Sequence, residues 1–210
     1  MSELFEYDKL MGKVIGTDEA GRGPAAGGVF AAAVYFPKLT QSLLSDLDRL
    51  NDSKKLSKVA REKLYDIIKN NSVNSVVCIE VDEIEKINIL NASLKAMKLS
   101  CENVIKQSGL KEFTTLVDGN KMIKNYIYPQ QFVIRGDGKS ASIAAASILA
   151  KVERDRYMDK LASKFPQYGW NRNAGYLTPE HLKAIDEYGL SRHHRPSFLK
   201  KHFEKQLTLF

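Results

Sequence analysis

Four acidic residues follow short apolar runs: Asp18 and Glu19 after residues 14–17, Asp118 after 114–117, and Asp137 after 132–135. Runs of this kind, rich in Val, Ile and Phe, predict strands, so each acid is expected where a strand gives way to a loop. In open α/β sheets, ligand sites gather beyond the carboxyl ends of strands, where acids far apart in sequence can meet. Carboxylates brought together repel and raise one another's pKa unless a cation compensates. Magnesium, a hard ion that prefers oxygen ligands, suits such a cluster. Two such ions about 4 Å apart can stabilise both the attacking and the leaving oxygen of a phosphoryl displacement. The plainer alternative is that an Asp-Gly pair after a strand is only a turn. Three coincident strand ends, one with a doubled acid, weigh against it. Adjacent strand residues point to opposite faces, so either the strand breaks at Asp18 or Glu19 contributes from another side.

The elements that must position these acids follow from periodicity. Strands are expected near 13–18, 28–36, 73–81, 113–117 and 130–135, and helices over 57–70, 89–107, 140–163 and 179–188. A glycine-rich turn joins the first two strands and helices separate the later ones. The expected fold is therefore α/β, a mixed central sheet of about five strands flanked by helices. From about residue 140 the strands stop, and a helical C-terminal portion packs on the same domain because no linker divides it off. Two nucleotide-binding patterns fail on inspection. Gly21, Gly23 and Gly27 have the wrong spacing for a dinucleotide fingerprint, and Val133 stands where the loop ending Gly138-Lys139-Ser140 would need its first glycine.

With 210 residues, 43% of them hydrophobic, the chain suffices for one ordinary domain. A net charge of +7 and a pI near 9.2 favour a polyanionic partner without establishing one. Cys78 and Cys101 lie far apart and show no Cys-x-x-Cys spacing, so they read as thiols of a reducing cytoplasm. No apolar stretch has the length of a secretory signal or a membrane span, which predicts a soluble, unexported protein. The mixed charges of residues 151–156 read as a solvated helix face. The adjacent His193 and His194 are badly spaced for shared metal ligation.

The chain resembles the bacterial ribonuclease HII family, the type 2 ribonucleases H. The likeness begins with Asp18-Glu19-Ala20-Gly21-Arg22-Gly23-Pro24 and continues through Asp52-Ser53-Lys54-Lys55-Leu56-Ser57, Val117-Asp118-Gly119 and Gly136-Asp137-Gly138-Lys139-Ser140. The run SIAAASILAK at 142–151, Gly175-Tyr176 with Thr178 and His181, and His194-Arg195 with Ser197-Phe198 complete it. Where the family usually continues Pro-Leu-Ala-Gly-Pro, this chain has Pro24-Ala25-Ala26-Gly27-Gly28, a departure that touches turn rigidity more than chemistry.

The resemblance implies a ribonuclease H-like fold in which Asp18, Glu19, Asp118 and Asp137 form the catalytic, metal-binding set for magnesium or manganese, with two ions in the reactive complex. It implies hydrolysis of the RNA strand of RNA/DNA hybrids and cleavage 5′ to ribonucleotides embedded in duplex DNA, leaving 5′-phosphate and 3′-hydroxyl ends. Gly21, Arg22 and Gly23 would read the 2′-hydroxyl, since glycines admit close backbone approach, and Tyr176 would pack against the sugar. Lys54, Lys55, Lys139, Ser140 and Arg195 are candidate phosphate contacts, because positioning on a duplex is mostly through its backbone.

The chain ends Gln206-Leu207-Thr208-Leu209-Phe210, which resembles the bacterial sliding-clamp-binding pentapeptide. Through Gln206, Leu207, Leu209 and Phe210 this tail, residues 206–210, would tether a monomeric catalytic domain of residues 1–205 to a clamp, and the alternative is a tail folded back on its own domain. Two further readings stay open: a basic nucleic-acid-binding module whose acids serve turns, and a nuclease of similar fold acting on DNA junctions.

Overall fold

A computed structural model describes residues 3–48, 50 and 56–207 of the chain. Five strands, β1 (Val14–Ala20), β2 (Val29–Tyr35), β3 (Val73–Ile79), β4 (Thr114–Asp118) and β5 (Gln130–Val133), form one sheet in the order β3-β2-β1-β4-β5. β1 runs antiparallel to β2 and parallel to β4, β2 pairs antiparallel with β3, and β4 pairs parallel with β5. The expected mixed sheet is thus present, with β1 at its centre. The helices are α1 (Glu3–Leu10), α2 (Gln41–Asp46), α3 (Lys58–Asn71), α4 (Val81–Ile87), α5 (Ile89–Ser108), α6 (Ala141–Lys164), α7 (Trp170–Asn173), α8 (Pro179–Tyr188) and α9 (Pro196–Leu207).

Local signals explain the long helices. The hydroxyls of Ser57, Ser140 and Thr178 cap α3, α6 and α8 by accepting from Ala60, Ile143 and His181 amides, and Gly109 ends α5 in the left-handed region. The short helices α1, α2, α4 and α7, and the C-terminal α9, lacked a sequence signal strong enough to be predicted.

Alternation divides the sheet into two packed faces. Ala32 and Val34 of β2 meet α1, α3 and α6, whereas Ile15 of β1 and Val29, Ala31 and Ala33 of β2 meet α5. α6 can lie directly on β1 because Gly16 has no side chain: a Cβ there would stand 2.2 Å from the Ser142 carbonyl carbon. That close approach delivers the middle of α6 to the end of β1. The C-terminal helices build a third cluster around Trp170, Met158 and Leu199, continuous with the second half of α6. Among the described residues no helix is long and apolar enough to cross a membrane.

Candidate active site

β1 does not break at Asp18. It pairs with β4 only as far as Thr17, but with β2 as far as Ala20, so Asp18 and Glu19 lie on regular strand beyond its last pairing with β4. Of the two alternatives read from sequence, a strand that breaks at Asp18 is therefore excluded. Strand alternation starts the Asp18 side chain on the α6 face with Gly16 and that of Glu19 on the other, yet Glu19 borders the same cleft as Ser147 and Lys151 of α6 and its charge acts on Asp18. Asp18 is buried, and the Ser147 hydroxyl of α6 reaches it. Burial, then the charges of Glu19 and Asp118, push its carboxyl well above the ordinary aspartate range. Burial also raises Glu19, opposed by the Arg22 guanidinium 3.3 Å from its Oε1. Arg22, expected to serve the substrate-reading turn, is thus also paired with one of the acids expected to bind metal.

Asp118 ends β4, and its Oδ1 accepts from the Gly136 amide at 2.6 Å. Gly136 opens the 3₁₀ turn Gly136–Gly138 behind β5, which the left-handed Arg135 turns back toward β4. Asp137 is therefore held one residue from the group that binds Asp118, and is buried. The three strand ends expected to converge do so. Among the described residues no three acidic, histidine or cysteine side chains are already arranged around one point as a metal site. Asp18 Oδ1 faces the Glu19 amide at 2.7 Å, much as Asp118 Oδ1 faces Gly136. The donor set nevertheless fits a divalent cation. It is all oxygen, and the acids around Asp18 leave a buried excess of negative charge.

A cleft of about 360 Å³ opens beside Glu19 and is lined by Gly21, Arg61, Ser147, Lys151, Arg154 and Tyr176 among others. Gly21, at φ +99, is a glycine because a Cβ would come within 2.2 Å of Arg154 Nε beneath it. A Cβ on Gly23 would stand 3.2 Å from the Tyr176 ring, so this exposed tyrosine and the turn share one wall. Gly21, Arg22, Gly23 and Tyr176 are brought together as expected, although 132 sequence positions part Glu19 from Lys151 of α6 in no visible pattern of spacing; close packing of α6 on β1 alone unites them.

Three sequence readings need correction. Ser140 is fully buried at the start of α6, where its hydroxyl accepts from the Ile143 amide, so it is a helix cap rather than a phosphate contact. Arg195 is fully buried and donates to backbone carbonyls of residues 21–27, so it too is removed from phosphate. The run 151–156 is not wholly a solvated face: Arg154 is 2% exposed and donates to the carbonyls of Ala26 and Ala174. Helical spacing of alternating charge suggested water, but the segment passes under a glycine turn that admits a guanidinium. Lys139 is exposed outside the lining of the cleft. Lys54, Lys55, Leu209 and Phe210 lie outside the described residues. Gln206 and Leu207 enter only as the last backbone positions of α9.

Sequence reasoning also missed a buried histidine pair. His181 and His194 approach at 3.1 Å through their Nε2 atoms, with Trp170 Nε1 donating to His181 Nε2 at 3.0 Å. His181 Nδ1 lies 2.9 Å from the Tyr176 carbonyl oxygen. The adjacent Tyr176 motif and the separate His-Arg motif were visible, but nothing in their spacing showed that they touch.

Comparison with solved structures places the fold in the ribonuclease H class. The ribonuclease HII of the PCNA:RNase HII complex from Archaeoglobus fulgidus superposes with a TM-score of 0.70 and 25% identity, over 87% of this chain and 93% of that one. Bst-RNase HIII in complex with Mn2+ shares the fold with a TM-score of 0.66 and 16% identity, over 90% of this chain and 67% of that one. A family model described as Ribonuclease HII matches residues 15–206. Ribonuclease HII of Fusobacterium nucleatum is 48% identical over 204 residues, 97% of this chain and 93% of that one. The chain belongs to the ribonuclease HII family, and is an endonuclease of the ribonuclease H type.

Proposed function

We propose that this chain cuts the RNA strand of RNA/DNA hybrids and cleaves duplex DNA on the 5′ side of an embedded ribonucleotide, leaving 5′-phosphate and 3′-hydroxyl ends. The observation that carries this reading is the meeting of buried Asp18 with Glu19 and Asp118 at neighbouring strand ends, beside a cleft walled by Gly21 and Tyr176. Asp18, Glu19, Asp118 and Asp137 would hold magnesium or manganese, as two ions. Bound there, such ions supply an activated water and positive charge for the departing 3′ oxygen. Bst-RNase HIII with Mn2+ supports manganese as an alternative to magnesium.

The chain's own residues do the remaining work. The turn Gly21-Arg22-Gly23 meets the ribose, Tyr176 packs on the sugar, and Lys54, Lys55 and Lys139 contact phosphates. Residues 1–205 act as one monomeric catalytic domain in the cytoplasm, and residues 206–210 bind a sliding clamp. The Archaeoglobus fulgidus neighbour, in complex with PCNA, supports that last assignment.

The test offers three duplexes of one sequence, with and without magnesium: RNA/DNA hybrid, DNA with one ribonucleotide, and all DNA. Cutting of the first two, 5′ to the ribonucleotide and only with metal, is expected. Cutting of all-DNA duplex, or none of any duplex, overturns the reading.

A further inference from the structure

The Arg195 guanidinium is enclosed by the backbone it binds. Nη2 donates to the Gly21 carbonyl at 2.8 Å, Nη1 to those of Pro24 at 2.8 Å and Arg22 at 3.3 Å, and Nε and Nη2 to that of Gly27 at 2.9 and 2.6 Å. Its own amide donates to the Ala25 carbonyl at 2.7 Å. One side chain thus engages four carbonyls of the turn that follows the doubled acid.

This fixes a direction. The peptide bonds are trans, so the C=O of one residue and the N–H of the next point opposite ways. With the Gly21 and Arg22 carbonyls drawn inward to Arg195, the Arg22 and Gly23 amides face away from the guanidinium. The outer side of the turn is therefore set as a donor surface. A ribose differs from a deoxyribose there by an oxygen that can accept, and a deoxyribose leaves such donors unanswered.

The residue before it, His194, acts on Tyr176, which shares a wall of the cleft with the turn. The Ser191 amide donates to His194 Nδ1 at 2.9 Å, which leaves His194 Nε2 to donate to His181 Nε2 and His181 Nδ1 to donate to the Tyr176 carbonyl. Stability alone does not account for the arrangement, since Arg195 lies near a second buried arginine, Arg154, whose charge opposes its own.

We propose that Arg195 is the positioning residue for ribonucleotide selection: it orients the peptide groups of the Gly21-Arg22-Gly23 turn, while its neighbour His194 holds Tyr176 through His181. This rests on the functional reading above. Arg195 acts through the turn and touches no substrate.

The test uses the full chain in an Asp18→Asn background with magnesium, so that binding is read without cutting. Affinity is measured for two duplexes that differ by one 2′-hydroxyl. The parent is expected to prefer the ribonucleotide-containing duplex. Arg195→Met is expected to lose about tenfold of that preference with all-DNA affinity unchanged, and Arg195→Lys, which keeps the charge without the fork, to recover part of it. Thermal melting confirms that each variant is folded; if Arg195→Met is not, Arg195→Lys decides alone. An undiminished preference in a folded variant, an equal loss of affinity for both duplexes, or a parent without preference overturns the proposal. Wild-type cleavage is assayed in parallel. A wild type that fails to cut the ribonucleotide-containing duplex overturns the functional reading itself, whereas cutting with an undiminished variant preference overturns only the role of Arg195.

Discussion

The Gly136 amide donates to Asp118 Oδ1 at 2.6 Å, tying the end of β4 to the turn that carries Asp137. A Cβ at Gly136 would stand 2.5 Å from Ile143 Cδ1 and 3.0 Å from that same Asp118 oxygen. Gly136→Ala is therefore expected to destabilise the chain by about 1–3 kcal/mol and to lower cleavage beyond what unfolding explains. Denaturant unfolding and initial rates below the melting temperature check the two parts, and a wild-type rate would show that the tie is dispensable.

Asp18→Asn removes a charge that burial, Glu19 and Asp118 all oppose. The folded carboxyl titrates above its unfolded value, so its ionisation costs stability as pH rises through the raised value, and acidification restores it. Without divalent metal, the variant is expected to melt higher than wild type at neutral pH and to lose that advantage as pH falls. Its cleavage rate should drop at least about 100-fold. Calorimetry across pH with a chelator present measures the first effect. A lower melting temperature for the variant would contradict it.

Burial and the neighbouring His181 hold His194 down at about 4, and burial lowers His181 as well. Below about pH 6.5 the unfolded imidazole takes a proton that the folded one refuses, so stability is full above that pH and falls toward pH 4. His194 contributes on the order of 3 kcal/mol to this loss. His194→Gln is expected to flatten the acid limb of a pH-dependent unfolding series, and a limb as steep as wild type would assign it to other groups.

Deleting residues 206–210 is expected to abolish binding to the cognate sliding clamp while leaving cleavage of short duplexes intact. Surface-immobilised clamp with the full and shortened chains measures this, and equal binding would remove the tail from the contact.

Binding to duplex should weaken as salt rises, because a chain of +7 net charge releases counterions on meeting phosphates. Titrations at several salt concentrations give the slope. A flat response would deny a groove that follows the phosphate backbone.

The reach of the sequence can be judged from particular residues. α3, α5, α6 and α8 were legible because apolar periodicity coincides with caps such as Ser57, Ser140 and Thr178, both of which are local properties. The four acids were legible because each ends an apolar run. Strand limits at β1 were not, since whether a strand stops at Asp18 depends on β2 continuing beside it after the pairing with β4 has ended.

Side-chain type alone misplaced the arginines. Arg195 and Arg154 carry the charge of a phosphate contact or a solvated face, but burial is decided by what packs over a residue. Here that is the turn of residues 21–27, whose carbonyls at Gly21 and Ala26 accept from the Arg195 and Arg154 guanidiniums. The sequence by itself determined the acids, their order along the chain and the helices that flank them, because these rest on contacts between near neighbours. Only the tertiary structure decided that β1 runs unbroken through Asp18 and Glu19 beside β2, that Arg195 lies beneath residues 21–27 and that His194 reaches Tyr176 through His181. Each of those pairings closes across strands or long loops, where geometry rather than spacing brings the atoms within reach.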